Sequence, residues 1–576
     1  MKYVISNLYL VAFWLLSPLA IAQTTTWDGQ HKTANVDVTV VYFVPQDRTP
    51  LPDWRQRVDY FCRRIEWFHQ REFGVQSTLK TEVLSQPFVS EDATAKLRQG
   101  DANAIFFRTL GQVDRRLQFA QKESDRFRIL LVLSDINWQP LDDFFRLKPD
   151  ASGQFVFDGN LNGGQHFPGA AAGGSRAVYL ADRGIGWGLV SGDGWRVPCR
   201  GSDCVVYHEG CGHTVGLPHP EPGNGSVMSM GQYRGWINES WLDKEQKSRL
   251  QWQPQEPPSN PQLELFTKFT AIPEPMVPVP GQSVQLKLTW PQHAKVKSLR
   301  VRVQTAIDAA WIEIPQSESV SAPATADLGS FDRATPVSYR IDAELDSGEQ
   351  AELWGYFQVR SDPDVPPQPT QLSMDLNPSR DRTDATGDGV VPSVSKLSDE
   401  TDLLSTMDLD SAWQNGKWTM AEGRLISPKA YGARIQLPAS PPRHYRLCVI
   451  VEPLDPPTGL LLGQKMGDHR FAALLGYGAG EAAQSALENV DGQNVGNETT
   501  LGGQLFRQGR LSQIVVTVRD RHVQIDVDGQ RVIDWTGESS RLSLGDYWAT
   551  PDKTKLFLGA YDCRYRFHRV SVTPIR

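Results

Sequence analysis

The run Tyr207-His208-Glu209-Gly210-Cys211-Gly212-His213-Thr214-Val215-Gly216-Leu217-Pro218-His219 constrains the fold of this chain more than any other stretch. It sets three imidazoles and a carboxylate within twelve residues. Zinc chemistry needs neutral imidazole nitrogens on a rigid element, an open coordination position for water, and a carboxylate to take that water's proton. His208 and His213 supply two such nitrogens from a helix, His219 a third after a turn, and Glu209 the base. His208 and His213 stand five residues apart, so on a regular α-helix they face directions about 140° apart. One π-turn absorbs the extra residue and restores a shared face. The sequence therefore predicts a π-turn between His208 and His213, with Gly210 and Gly212 permitting the distortion. Gly216 is where the helix must end in a left-handed cap and send His219 back toward the metal.

The second half, His213-Thr214-Val215-Gly216-Leu217-Pro218-His219, fits H-x-x-G-x-x-H and resembles the metzincin zinc peptidases. Met228, in Gly225-Ser226-Val227-Met228-Ser229, resembles the methionine of their turn beneath the metal, with Met230 as the alternative. That resemblance implies a metzincin-like catalytic domain that hydrolyses peptide bonds of a protein or peptide substrate. It implies one catalytic Zn2+ on His208, His213 and His219, with Glu209 as general base and Met228 as an apolar floor. Where several metzincins carry a tyrosine two residues after the methionine, this chain has Met230, and Tyr233 comes later. The run His208-Glu209-Gly210-Cys211-Gly212-His213 also resembles the H-E-x-x-G-H motif of dipeptidyl peptidase III-type enzymes, whose third ligand would here be Glu239 or Glu245. Cys211 lies two residues from His213 on the helix and points away from the ligands.

A chain of 576 residues implies about three to four domains. A formal charge of -8 offers no basic field for nucleic acid. Met1-Lys2, the apolar stretch Leu8 to Leu19 and Ala20-Ile21-Ala22 form a secretory signal, with cleavage expected near Ala22 and a secreted, periplasmic or cell-surface protein without a membrane span. In an oxidising compartment the six cysteines could form disulfides, and Cys199 with Cys204 and Cys448 with Cys563 are the expected pairs, Cys62 and Cys211 being left paired or free.

Strand-like Val36 to Val44, a helix from Pro52 to Phe73, a strand over Thr78 to Leu84, a helix over Asp92 to Arg98 and a strand over Arg128 to Leu133 make residues 23–253 an α/β unit. After a linker over 254–262, alternating strands predict an immunoglobulin-like β-sandwich over 263–361. A second linker, 362–402, contains Asp384-Ala385-Thr386-Gly387-Asp388-Gly389, which resembles the start of a calcium loop but meets Ser395 where the closing acid is needed. Residues 403–576 read as an all-β jelly roll. The strands Val515 to Arg519, Val523 to Val527 and Ile533 to Trp535, with the hairpin turn Asp528-Gly529, resemble the concanavalin A-like lectin/glucanase fold. Such a domain implies a glycan or cell-surface ligand, with Trp413, Trp418, Trp535, Tyr547 and Trp548 as candidate aromatic platforms. The second functional reading is thus a carbohydrate-binding or adhesive surface protein whose zinc domain is vestigial.

Overall fold

A computed structural model describes residues 23–255, 260–316, 321–369, 372, 375–376, 390–393 and 400–575. The signal segment, the calcium-like loop and most of the second linker lie outside these residues. None of the described helices is long and apolar enough to cross a membrane. Most of the regular structure is β-sheet, arranged around three cores.

The first core surrounds β1 (Asn35–Val44), α1 (Trp54–Phe73), β2 (Thr78–Val83), α2 (Ala102–Leu117), β3 (Phe127–Ser134), β4 (Ser175–Leu180), β5 (Ile185–Val190) and α3 (Ser202–Tyr207). The sheet order is β2-β1-β3-β5-β4, with Phe88–Val89 also paired to β1. All pairs are parallel except β5 with the edge strand β4. Parallel strands are covered on both faces, which explains why β1 reads as a nearly continuous apolar run. Val38, Val40 and Tyr42 face α1 and α3, whereas Val41 and Phe43 face α2. Helix α2 is an addition to the elements expected from sequence: Asp101 caps it by accepting from Ala104 N at 2.9 Å, and Phe106, Leu110 and Val113 form its buried stripe.

Strand β5 carries glycine at alternate positions, Gly186 and Gly188, and these face the same side as α3. A Cβ on Gly186 would stand 2.4 Å from the Thr214 Cβ, and one on Gly188 would stand 2.5 Å from the Glu209 carbonyl oxygen. The bare strand face is thus where the histidine-bearing turn lies directly on the sheet.

The second core is a sandwich of β6 (Thr270–Glu274), β7 (Ser283–Thr289) and β10 (Thr325–Ser330) against β9 (Ile312–Ile314), β8 (Val296–Gln304), β11 (Thr335–Leu345) and β12 (Gln350–Val359). It opens with the helix Pro261–Lys268, where the sequence had suggested a linker giving way to strands. The sandwich joins the first unit through α1. Arg57 is fully buried, with two 2.9 Å bonds to Asp53 and one of 2.7 Å to Gln304, and its guanidinium lies over Trp311 and Trp354. Trp311 Nε1 donates to the same Asp53 at 2.8 Å.

The third core lies between an eight-stranded and a seven-stranded antiparallel sheet, a jelly roll over residues 401–574. Asp528 and Gly529 make the predicted turn, with φ of 51° and 80°. This turn leans on the sandwich: a Cβ on Gly529 would stand 2.7 Å from Arg302 Nη1. Asp528 accepts from Gln513 N at 2.8 Å and from the Ser512 hydroxyl at 3.1 Å, and Gln513 Nε2 donates to the Glu313 carbonyl at 2.9 Å.

The expected disulfides are corrected. All six cysteines are buried free thiols. Each of the four expected partners is turned to another group: Cys199 to the Ser202 hydroxyl at 3.3 Å, Cys204 to the Gly235 carbonyl at 3.8 Å, Cys448 to Gln513 Nε2 at 3.3 Å and Cys563 to the Asp455 carbonyl at 3.5 Å.

Two predictions follow from this packing. Gly188→Ala forces a methyl against backbone and should destabilise the protein by about 1–3 kcal/mol in urea unfolding. An unchanged midpoint would mean the turn is not seated on β5. Burial pushes the Asp528 carboxyl up to about 6, despite the opposing Arg510 and the hydrogen bonds of Gln513 and Ser512. A carboxyl raised on folding contributes its stability below the unfolded value of about 3.9 and loses it as pH rises through about 6. Asp528→Asn should therefore gain stability relative to the parent between about pH 4 and pH 7. Parallel melting-temperature curves for the two proteins would refute this.

Candidate functional sites

The segment after α3 does not continue as an α-helix. His208–Gly212 is a π-helical turn, followed by the 3-10 turn His213–Val215. The extra residue between the histidines is absorbed there, and the His208 and His213 rings come to 4.4 Å between centroids. The glycines act otherwise than the sequence suggested. Gly212 has φ of -78°, which any residue adopts, but a Cβ on it would stand 2.1 Å from the Met228 sulfur. A Cβ on Gly210 would stand 2.9 Å from Leu131. Both are sites of close approach. Gly216 does need its conformational freedom, since φ is 87° where the turn ends and the chain reverses.

His208, His213 and His219 bring their ring nitrogens together. His219 Nε2 lies 3.1 Å from Nε2 of both other rings. His208 Nδ1 donates to the Val227 carbonyl at 2.8 Å and His213 Nδ1 to the Leu217 carbonyl at 2.6 Å. Those bonds fix both rings in the tautomer whose Nε2 carries a bare lone pair. His219 has at most one Nε2 proton for two such lone pairs, so a cation satisfies the cluster better than hydrogen bonding does. Nitrogens about 2.0–2.1 Å from a tetrahedral zinc stand roughly 3.3 Å apart, which these separations fit. Burial, reinforced by the neighbouring imidazoles, pushes His208 down to about 3, so it stays neutral as a ligand must.

Glu209 is partly buried, and desolvation pushes its carboxyl up to about 7 against the lowering effect of Arg176. A zinc ion held by the three imidazoles would keep a fourth position for water, and a carboxyl of that character would be able to exchange a proton with it. Met228 is fully buried beneath Gly212, while Met230 is exposed. The Val227 carbonyl beside it orients His208, a role that a backbone acceptor leaves unmarked in the sequence. Tyr233 turns its hydroxyl to Asn160 Nδ2 at 3.0 Å. The alternative third ligand is corrected: Glu239 is held by Arg200 at 2.9 Å and caps Trp236 N at 2.9 Å, and Glu245 is not in the cluster.

A second site lies on the seven-stranded sheet of the jelly roll. A pocket of about 500 Å³ is walled by Tyr431, Tyr477, Tyr547, Trp548 and Tyr561, with Arg434, Glu488, Asn415 and Asn494 as its polar groups. Tyr431 and Tyr547 are 71% and 55% exposed, and Tyr561 meets both Tyr431 and Tyr477 edge-on at 5.1 Å. Of the expected platforms only Tyr547 and Trp548 line this pocket. Trp418 and Trp535 are core residues and Trp413 is half-buried outside it. The three further tyrosines were not singled out from sequence, because nothing local marks residues that only strand pairing brings together.

No family model matches the chain, and no curated protein matches it. Solved structures do. The chain is similar to a carbohydrate-binding module from Bacillus subtilis, at 13% identity over 32% of this chain and 99% of that one, with a TM-score of 0.21. It is similar to a Bacillus subtilis protein of unknown function with a galectin-like fold, at 11% identity over 30% and 94%, with a TM-score of 0.22. It is also similar to the carbohydrate recognition domain of Emp47p, at 11% identity over 31% and 99%, with a TM-score of 0.21. At these values the likeness assigns no activity. These neighbours are carbohydrate-binding and galectin-like proteins, not proteases, and on that finding the assignment of the chain as a metzincin-like zinc metallopeptidase is corrected. The expected metalloprotease activity, the metzincin catalytic domain and the peptide substrate fall with it.

Proposed function

We propose that this is an exported carbohydrate-binding protein that takes its ligand in the jelly-roll pocket and holds a zinc ion at a separate centre in its first unit. Its units are residues 23–253, a sandwich opening at the helix Pro261–Lys268 and a jelly roll over 401–574, and export follows from the leader ending near Ala22. The pocket carries the reading. Sugar rings offer apolar C–H faces and a rim of hydroxyls, and a concave site of aromatic faces with a few convergent polar groups is complementary to both. Tyr431, Tyr547 and Tyr561 supply the faces, while Asn415 and Asn494 supply amides that both donate and accept.

Binding of the full chain to a panel of immobilised polysaccharides tests this. Tyr431→Ala, at the exposed rim, should weaken binding by about tenfold, the loss of one stacking contact, while leaving the melting temperature unchanged, and Tyr561→Ala, which also removes packing on Tyr477, should weaken binding at least as much and lower the melting temperature. Equal binding by both variants, or no polysaccharide bound by the parent, would refute the proposal.

The zinc centre rests on a different observation, the 3.1 Å approach of His219 Nε2 to both other imidazoles. His208, His213 and His219 are its ligands, and Glu209 stands next to the first of them. Purified protein stripped with chelator and reloaded should retain about one zinc per chain, and His213→Ala should reduce the retained metal by about tenfold or more with unchanged circular dichroism. Equal metal content in parent and variant would remove the assignment.

A further inference from the structure

The pocket's two charged residues each give one atom to Tyr547, while Arg434 Nε and Glu488 Oε2 have no hydrogen-bond partner among the described residues. Arg434 Nη1 donates to the Tyr547 carbonyl, and its guanidinium lies over the Trp548 ring at 5.7 Å. Glu488, only 3% exposed, accepts from the Tyr547 hydroxyl at 3.0 Å, and Asn494 Nδ2 approaches that hydroxyl at 3.4 Å. Tyr547 is therefore pinned at its backbone by a cation and at its phenol by a carboxylate, although more than half of it is exposed. An exposed ring ordinarily loses rotamer freedom when a ligand stacks on it, whereas this one has lost that freedom on folding.

The same bonds decide which ligands the pocket favours. An anionic sugar would meet the Glu488 carboxylate, and Arg434 already gives its Nη1 to the Tyr547 carbonyl. A quaternary ammonium would find its aromatic walls but would meet Arg434 beside them. An uncharged ring with hydroxyls opposes neither charge and uses the tyrosine faces and the amides. We propose, resting on the carbohydrate reading above, that the pocket is a subsite for an uncharged sugar ring and that Glu488 is a positioning residue that holds Tyr547 for stacking.

The test is calorimetric titration of the full chain with methyl glycosides of neutral hexoses, with glucuronic acid and with choline. Neutral glycosides should bind at least about tenfold more tightly than glucuronic acid or choline. Glu488→Ala should weaken neutral binding by about tenfold, whereas Glu488→Gln, which still accepts from the Tyr547 hydroxyl, should stay within about threefold of the parent. Glucuronic acid binding as tightly as the neutral glycosides would overturn the charge selection while leaving the carbohydrate reading intact. Equal losses in Glu488→Ala and Glu488→Gln would overturn the positioning role. Choline binding without sugar binding, or no binding of any of the three, would overturn the carbohydrate reading itself.

Discussion

Two ligands five residues apart on one helix face the same point only if the helix is unwound by one residue, and much of the first unit supports that unwound turn. A π-turn is wider than an α-turn and presents its backbone to whatever lies beneath. Here the ground beneath is strand β5, whose alternate glycines let the Glu209 carbonyl and Thr214 lie on the sheet. Leu131 of β3, paired with Gly188, supports the turn from the same sheet and Met228 packs against Gly212, and only glycine at 210 and 212 admits them. The carbonyls of Val227 and Leu217 then set the two rings. The spacing in the sequence, the glycines of a distant strand and the position of one methionine are thus parts of a single steric condition.

Helix α1 joins this condition to the rest of the chain. Its inner face packs on the core beneath the turn, and its start holds Arg57 in a dry junction with the sandwich. A buried guanidinium is tolerable only when its donors are met, because an unpaired charge there costs several kcal/mol. Asp53, Gln304 and the Arg196 carbonyl meet them, and Trp311 and Trp354 supply the ring faces. Those partners come from both units, so the junction forms only when the sandwich has docked.

What was legible in the sequence was local. The π-turn, the left-handed Gly216 and the Asp528-Gly529 turn each follow from spacing or from the conformations a residue type allows. The main strands of all three units were visible as apolar runs, since a strand buried on one or both faces leaves a period in the sequence. What depended on pairing was not legible. The tyrosine wall draws on Tyr431, Tyr477, Tyr547 and Tyr561, and no sequence period connects them. The cysteine pairs failed for the same reason, as neither a short intervening loop nor a shared domain says where a buried thiol points. The peptidase assignment failed at a further remove, because a ligand pattern specifies what can be held at a point and leaves the reaction to the surrounding walls.

The two sites reach rigidity by opposite means, and this bears on how they divide the work of the protein. At the histidine cluster backbone carbonyls hold two of the rings, so the charge there would come from an ion that the rings received. In the jelly roll a cation and a carboxylate each give one atom to holding a tyrosine, and amides and phenols supply the rest of the pocket's polarity. The first arrangement favours a compact borderline cation such as zinc and the second an uncharged surface with hydroxyls. The clusters belong to different cores with the sandwich packed against both, and no residue of one lines the other. Loss of either ligand set should therefore leave the other site's geometry in place, and a defect that crosses from one to the other would have to travel through the Arg57 junction and the Asp528 turn.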